Sequence, residues 1–458
     1  MDGTRAADDT HMQIKGFAST TSAIPGDSVN FHVTVADAEE FGIDIYRLGW
    51  YGHSGARHVT SSPKLSGVKQ PDPDLDHETG MISCAWSPSW SLKVAPDWLP
   101  GVYLTVFTTE SGWRSYAPFV VHDPDRNGGL CVILPFSTYQ AYNQWPFDGH
   151  RGKSLYYGYT DEAEETFDQR SYQVSFDRPY YKDGNPKLFD DDHSFVKWVE
   201  ESGFDINYAS TTDIESGRLD PANYAGVIFS GHDEYWSTTM RTWAESAVTG
   251  GTSLAYLGAN NIYWKIRFAP SNDGRENRIV VCYKTGIDAV DKTDATMRWR
   301  DPSPGPADAE QKFLGVQYNG IVEGDAPLVV QGADHWFWRG CDVADGDEIP
   351  KLIGIEADGI NHQYHVSTDG TPNLLSASKY MSSEGHELIQ NTSLIEHDDG
   401  TIIFVAGTLH WTKGLATSGY KDARIMKASE NLLNRMLQRA GARGRLSSRT
   451  RSAETATG

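Results

Sequence analysis

A histidine and two carboxylates follow one another in Ser230-Gly231-His232-Asp233-Glu234-Tyr235-Trp236. Such a set can move protons or bind a hard metal ion, and a metal-activated water would then supply a nucleophile. Covalent acyl transfer fits poorly, because the chain has no Gly-x-Ser-x-Gly sequence and no cysteine near this stretch. No His-Glu-x-x-His motif is present either. The abundant resource is tyrosine: Tyr139 and Tyr142 lie in Leu134-Pro135-Phe136-Ser137-Thr138-Tyr139-Gln140-Ala141-Tyr142-Asn143, and Tyr180 and Tyr181 in Ser175-Phe176-Asp177-Arg178-Pro179-Tyr180-Tyr181. With 22 Tyr and 14 Trp in the chain, most of these rings must serve packing.

The elements that would position these residues can be read from apolar patterning. Tyr224 to Phe229 is a short buried strand, Ser237 to Val248 a helix closed by Gly250-Gly251, and Ser253 to Leu257 a second strand ending in Gly258-Ala259-Asn260-Asn261. Strand, helix and strand over so short a span make a βαβ unit. Ligands in such sheets gather at the carboxyl ends of the strands, so His232, Glu234 and Asn260 are expected on one rim. Leu130 to Leu134 reads as the first strand of the same sheet, which brings the loop with Tyr139 and Tyr142 to that rim. Asp190 to Ser202 reads as an N-capped helix followed by a strand at Phe204 to Tyr208, and Ala423 to Ala440 as a closing helix. Strands alternating with helices predict a mainly parallel, doubly wound α/β domain over 130–440.

Upstream the texture differs. From 13 to 122 short alternating segments such as Asp27 to Val35, Ile43 to Leu48 and Gly101 to Phe107 are separated by Gly, Pro and Asp turns, which predicts an antiparallel β-sandwich. Residues 123–129 read as a linker. Its Asp-x-Asp-x-Asn-Gly start imitates a calcium loop, but Leu134 stands where the bidentate Glu belongs. Residues 1–12 and the basic tail 441–458 are expected to be disordered.

Composition narrows the partners. The net charge is -22 over 458 residues with scattered acidic groups, which argues against nucleic acid or an anionic membrane as partner. No run of about 18 apolar residues occurs, and 1–11 lacks the apolar stretch of a signal peptide. A cytoplasmic protein is expected. Cys84, Cys131, Cys282 and Cys341 are far apart and read as buried thiols. The match Asn391-Thr392-Ser393 to a glycosylation acceptor is then of little account.

Several phrases carry a resemblance. Ile45-Tyr46-Arg47-Leu48-Gly49-Trp50-Tyr51-Gly52, Ser230 to Ser237, Leu257-Gly258-Ala259-Asn260-Asn261-Ile262-Tyr263-Trp264, Met297-Arg298-Trp299-Arg300-Asp301 and Gly354-Ile355-Glu356-Ala357-Asp358 resemble the N,N-dimethylformamidase large (beta) subunit-like family. The resemblance runs from about residue 13 to 440. It implies an immunoglobulin-like sandwich, then a glutamine-amidotransferase-like catalytic domain without its cysteine, holding one Fe3+ ion per chain by two tyrosinates and a glutamate. Mapped here, the metal ligands are Tyr139, Tyr180 and Glu234, with Tyr142 and Tyr181 as alternatives in register. His232, Asn260 and Glu356 are the implied catalytic groups.

Phenolate and carboxylate oxygens are hard donors suited to ferric iron, and three protein ligands leave positions open for water and a carbonyl oxygen. The expected reaction is attack of an iron-bound hydroxide on the carbonyl of a small amide such as an N-substituted formamide. His232 would carry a proton to the leaving amine and Asn260 would orient substrate or oxyanion. The resemblance leaves room for a small partner subunit or a homo-oligomer. Two other readings stay open: a zinc or manganese hydrolase of an ester, cyclic amide or peptide-like substrate, and a non-catalytic carbohydrate-binding protein using rings such as Trp336-Phe337-Trp338.

Overall fold

A computed structural model describes residues 5–52, 54–285, 288, 294–302, 306–366, 370 and 372–454, with side chains to 438. The fold is mostly β. Residues 5–121 form the expected sandwich. One sheet runs in the order Arg5–Ala6, Trp113–Val121, Gly101–Thr109, Glu40–Tyr51, Ser54–Ser61, and the facing sheet in the order Trp90–Lys93, Ser28–Val35, Ile14–Ala18. The alternation that predicted these strands is what buries them. Val29, Phe31, Val33 and Val35 point inward, and Phe31 meets Phe107 and Phe119 of the opposite sheet edge-on at 6.2 and 6.0 Å.

The second sheet has seven strands. In chain order they are β1 (Leu130–Leu134), β2 (Ile206–Ser210), β3 (Gly226–Phe229), β4 (Ser253–Tyr256), β5 (Pro372–Leu374), β6 (Ser393–Glu396) and β7 (Ile402–Val405). Their spatial order is β2-β1-β3-β4-β7-β6-β5. The first five in that order are parallel; β6 pairs antiparallel with β7, and β5 antiparallel with β6, so that only β6 runs against the rest. Both faces are covered, so β1 is buried at every position. Leu130, Val132 and Leu134 join one core while Cys131 and Ile133 join the other. Helices α1 (Phe136–Tyr142), α2 (Phe189–Glu201), α3 (Thr238–Thr249) and α4 (Ala423–Glu454) flank the sheet.

Some elements differ from the sequence reading. Gln317–Val329 and Glu348–Gly359 stand outside the sheet as a separate antiparallel ribbon. Helix α2 begins at Phe189 with no side-chain cap, because Leu188 at the cap position carries no side-chain acceptor. Part of the N-terminal segment expected to be disordered is ordered: Asp9 and Lys15 are buried together, with Nζ 2.6 Å from Oδ1. Helix α4 continues to Glu454 through part of the tail expected to lack structure, while 455–458 and 1–4 lie outside the described residues. All four cysteines are buried and free. Among the described residues no helix is long and apolar enough to cross a membrane.

The phrase Tyr46-Arg47-Leu48-Gly49-Trp50-Tyr51-Gly52 joins the two halves and stands apart from the rim. Arg47 Nη2 is 2.6 Å from Glu200 Oε1 on α2, and Nη1 is 3.2 Å from Oε2. Tyr208 Oη and the Trp50 amide donate to the same carboxylate at 2.9 and 3.1 Å. A Cβ at Gly49 would come within 2.0 Å of Glu200 Oε2, so glycine is what lets the backbone approach.

Candidate active site

In a sheet of this strand order the topological switch lies between β1 and β3, and their carboxyl ends open a crevice. Two segments meet there. Helix α1 follows β1, and the stretch Ser230 to Glu234 follows β3. Thr138 Oγ1 accepts hydrogen bonds from the amides of Glu234 and Tyr235 at 3.1 and 3.3 Å, and Ser137 Oγ donates to Tyr235 O at 2.9 Å. This fixes the turn before any side chain is considered. The turn does not run directly into a helix, because Tyr235–Ser237 forms a short strand parallel to Trp264–Ala269. Ser237 caps α3 by accepting from the Met240 amide at 3.1 Å.

Glu234 is the centre. It is fully buried, and two phenols converge on its two oxygens: Tyr142 Oη donates to Oε2 at 2.8 Å and Tyr156 Oη donates to Oε1. The two rings stack with centroids 4.7 Å apart. Trp264 Nε1 donates to Tyr156 Oη at 3.1 Å. His232 Nε2 lies 3.5 Å from Glu234 Oε2 and 3.2 Å from Glu356 Oε2. Glu356 and Asp358 come from the ribbon; Asp358 Oδ1 accepts from the Asn260 amide at 2.8 Å, which holds Asn260 in its left-handed conformation with φ 56°. The Asn260 side chain lies beside Glu356. Lys187 Nζ sits 4.4 Å from the Tyr142 ring centroid, and Lys284 Nζ 3.3 Å from that of Tyr156.

The electrostatics follow from burial and proximity. Burial alone would push the His232 imidazole down, but Glu356 and Glu234 outweigh it and raise its pKa to about 9. Burial raises Glu234, with His232 and Lys284 opposing; in Glu356 the pull of His232 and Asn260 exceeds burial and the carboxyl is lowered. Burial and then Glu234 hold the Tyr142 and Tyr156 phenols well above their usual range. Burial lowers Lys284 to about 7.

The structure brings together His232, Glu234, Asn260 and Glu356 from the sequence reading. It does not bring Tyr139 or Tyr180 to them. Tyr139 is one turn earlier on α1 and donates to Asp192 Oδ2 instead. Tyr180 is buried beside Arg178 and Arg278. Tyr181 packs against Phe147 and Lys182. Of the alternatives in register only Tyr142 reaches Glu234, and its partner is Tyr156. Tyr156 lies in a loop with no periodicity or motif to single it out; being 14 residues from Tyr142 in an aromatic-rich stretch was its one signal. Asp233 is not at a helix start, since Ser237 is the cap; it is buried and burial raises it to about 8.

Residues 42–423 match the family described as N,N-dimethylformamidase beta subunit-like, C-terminal. The chain belongs to that family. Beta subunits of N,N-dimethylformamidase from Alcaligenes sp and Paracoccus aminophilus are each 21% identical over 439 residues, covering 79% of this chain and 56% of theirs. The chain therefore spans about half the length of these curated relatives. A solved structure of an uncharacterized protein from Bacillus anthracis str. Ames overlaps 23% of this chain and 84% of its own at 10% identity, with a TM-score of 0.16 that carries no argument.

As a metal site, the donor set of this N,N-dimethylformamidase beta subunit-like chain is all oxygen. Among the described residues no group of three or more His, Cys, Asp or Glu is arranged to hold an ion. Two phenols on one carboxylate do form a three-oxygen set, and these are hard donors for a ferric ion. Asn260 Oδ1 is buried there without a hydrogen-bond partner in the structure. The residues present fit such an ion.

Proposed function

We propose that the chain hydrolyses the C–N bond of a small amide, such as an N-substituted formamide, with one Fe3+ ion held by Tyr142, Tyr156 and Glu234. The observation that carries this reading is the convergence of Tyr142 and Tyr156 on the two oxygens of a fully buried Glu234. When bound, the ion lowers the pKa of a water and polarises a carbonyl. The chain's own groups do the rest. His232, protonated at neutral pH and held between Glu356 and Glu234, gives its proton to the departing amine nitrogen. Asn260, locked by Asp358, faces the carbonyl oxygen with its amide as charge develops there. The rings of Tyr142, Tyr156 and Trp264 exclude water around the reacting bond.

We read the parallel sheet as a glutamine-amidotransferase-like domain on its strand order and the place of the site at the switch point, with the nucleophilic cysteine absent. A partner subunit is proposed on the name of the relatives as beta subunits.

Protein purified without chelator is expected to contain one iron per chain, to show a visible tyrosinate-to-iron band and to release amine from formamides. Under the same assay His232→Gln should keep the iron and the band while turnover falls by about 10²–10⁴. Absence of iron and band, with no amine release from a panel of small amides, would sink the reading.

A further inference from the structure

Arg178 is 1% exposed, and no carboxylate of the described residues contributes to its charge balance. Its guanidinium is given instead to three backbone carbonyls. Nη2 donates to Asn143 O at 2.6 Å, and Nη1 to Lys153 O at 3.1 Å and Trp145 O at 3.4 Å. Burying a cation without a counter-charge is costly, so what it holds in place must matter to the fold or the site. The three carbonyls belong to one loop, 143–153. That loop starts directly after Tyr142 and ends shortly before Tyr156.

Other contacts make the loop a closed strap. Asn143 Nδ2 donates to Pro179 O at 2.9 Å and Asn143 Oδ1 accepts from the Tyr181 amide at 3.0 Å. The Phe147 amide donates to Asp9 Oδ2 at 2.8 Å, the carboxylate paired with buried Lys15. At the neck a Cβ on Gly152 would lie 2.1 Å from Pro146 O and 2.2 Å from Gln144 O, so the two limbs are as close as backbone allows. Asp177, next to Arg178, is anchored by Arg278 at 2.7 Å and Arg275 at 2.9 Å. The stretch Ser175 to Tyr181, conspicuous for its tyrosines, thus holds the strap through Arg178, Pro179 and the Tyr181 amide.

We propose that Arg178 is a positioning residue for the tyrosine pair, drawing both ends of loop 143–153 together and so setting the separation at which Tyr142 and Tyr156 face Glu234. The inference rests on the reading of Tyr142, Tyr156 and Glu234 as the iron-holding set. A guanidinium suits the task because its planar fork fans several donors outward at once, whereas a lysine ammonium is a compact point charge.

The test compares the full chain with Arg178→Lys, Arg178→Met and Arg178→Ala, the last with and without added guanidinium ion. In metal-free protein, amide exchange over 143–153 should quicken about tenfold or more in Arg178→Met, while β1 and β3 stay protected. On titration with iron, affinity should fall about 10–100-fold, and the visible band of the folded protein should shift or weaken. Arg178→Lys should fall between, and guanidinium should restore the band in Arg178→Ala. A merely structural role would lower the melting temperature and leave the band of the folded fraction unchanged. Unaltered loop exchange and iron affinity in both Arg178→Lys and Arg178→Met would overturn the proposal, as would global unfolding of both. If the unaltered chain bound no iron, the reading of the site would fall, and the exchange comparison would still decide whether Arg178 holds the loop.

Discussion

Two buried carboxylates receive phenols in this molecule, and they are set up for different ends. Asp192, on α2, accepts from Tyr139 at Oδ2 and from Ser230 Oγ at Oδ1, the latter at 2.6 Å. Among the described residues no basic side chain bonds to it, and burial, the largest influence, raises its pKa to about 7. It is a closed hydrogen-bonded pair joining α1, α2 and the end of β3. Glu234 accepts two phenols instead of one, with His232, Lys284 and Glu356 around it and the unpartnered Asn260 Oδ1 nearby. The tyrosines Tyr139 and Tyr142 stand one turn apart on α1, so the same helix feeds both sites. A phenol on a buried carboxylate is therefore not in itself a site. A second phenol on the other oxygen, together with cations and unsatisfied groups at hand, is what separates the two.

The comparison can be broken at three levels. The largest effect is expected at the carboxylates. Glu234→Gln should abolish iron binding and lower amide release by at least about 10³, and metal analysis with an amine assay checks both. Equal losses in Asp192→Asn would mean that the distinction drawn here is wrong.

At the phenols the effects should be smaller and opposite in kind. Tyr142→Phe or Tyr156→Phe should cost iron affinity and the visible band. Tyr139→Phe should keep iron and band and lower stability by about 1–3 kcal/mol, the loss of a partner to a buried acid. Urea unfolding beside an iron titration distinguishes them.

The smallest expected effect is in the pH dependence of stability. Asp192 is raised from 3.8 to about 7 on folding, so its favourable contribution is complete below the unfolded value and is lost as pH rises through about 7. Asp358, also raised to about 7, has the same sign. Asp192→Asn should therefore flatten, without abolishing, the decline in stability between about pH 4 and 7. Urea midpoints at both ends of that window, for both proteins, are the measurement; parallel curves would show that Asp192 titrates normally.

What could be seen in the sequence follows from how local each cause is. The βαβ unit was legible because buried parallel strands are short apolar runs and α3 has its cap and its glycine stop beside it. Once the strands were placed, the carboxyl-edge rule located His232, Glu234 and Asn260 without further information. Glu356 needed the family resemblance, since the ribbon that carries it comes back to the rim from outside the sheet. Tyr156 was not legible at all. Its position depends on Arg178 and Asp9 holding loop 143–153 in place, and both are distant from that loop in sequence. The N-terminal segment failed for a related reason: a polar stretch is expected to stay in water, and the burial of Asp9 with Lys15 depends on carbonyls and amides of the distant 147 and 182 regions.

Glu200 lies on the last turn of α2, gripped by Arg47 of the sandwich, and Asp192 on the first turn of the same helix is bonded to Ser230 at the rim. One rigid rod thus runs from the sandwich to the reactive edge. The α/β domain is consequently a poor candidate for transplantation as a minimal catalyst, because cutting before Leu130 would leave Glu200 without the guanidinium that neutralises it. The two halves form a single inheritable part, and any shuffling that separates them should be expected to cost the rim its alignment.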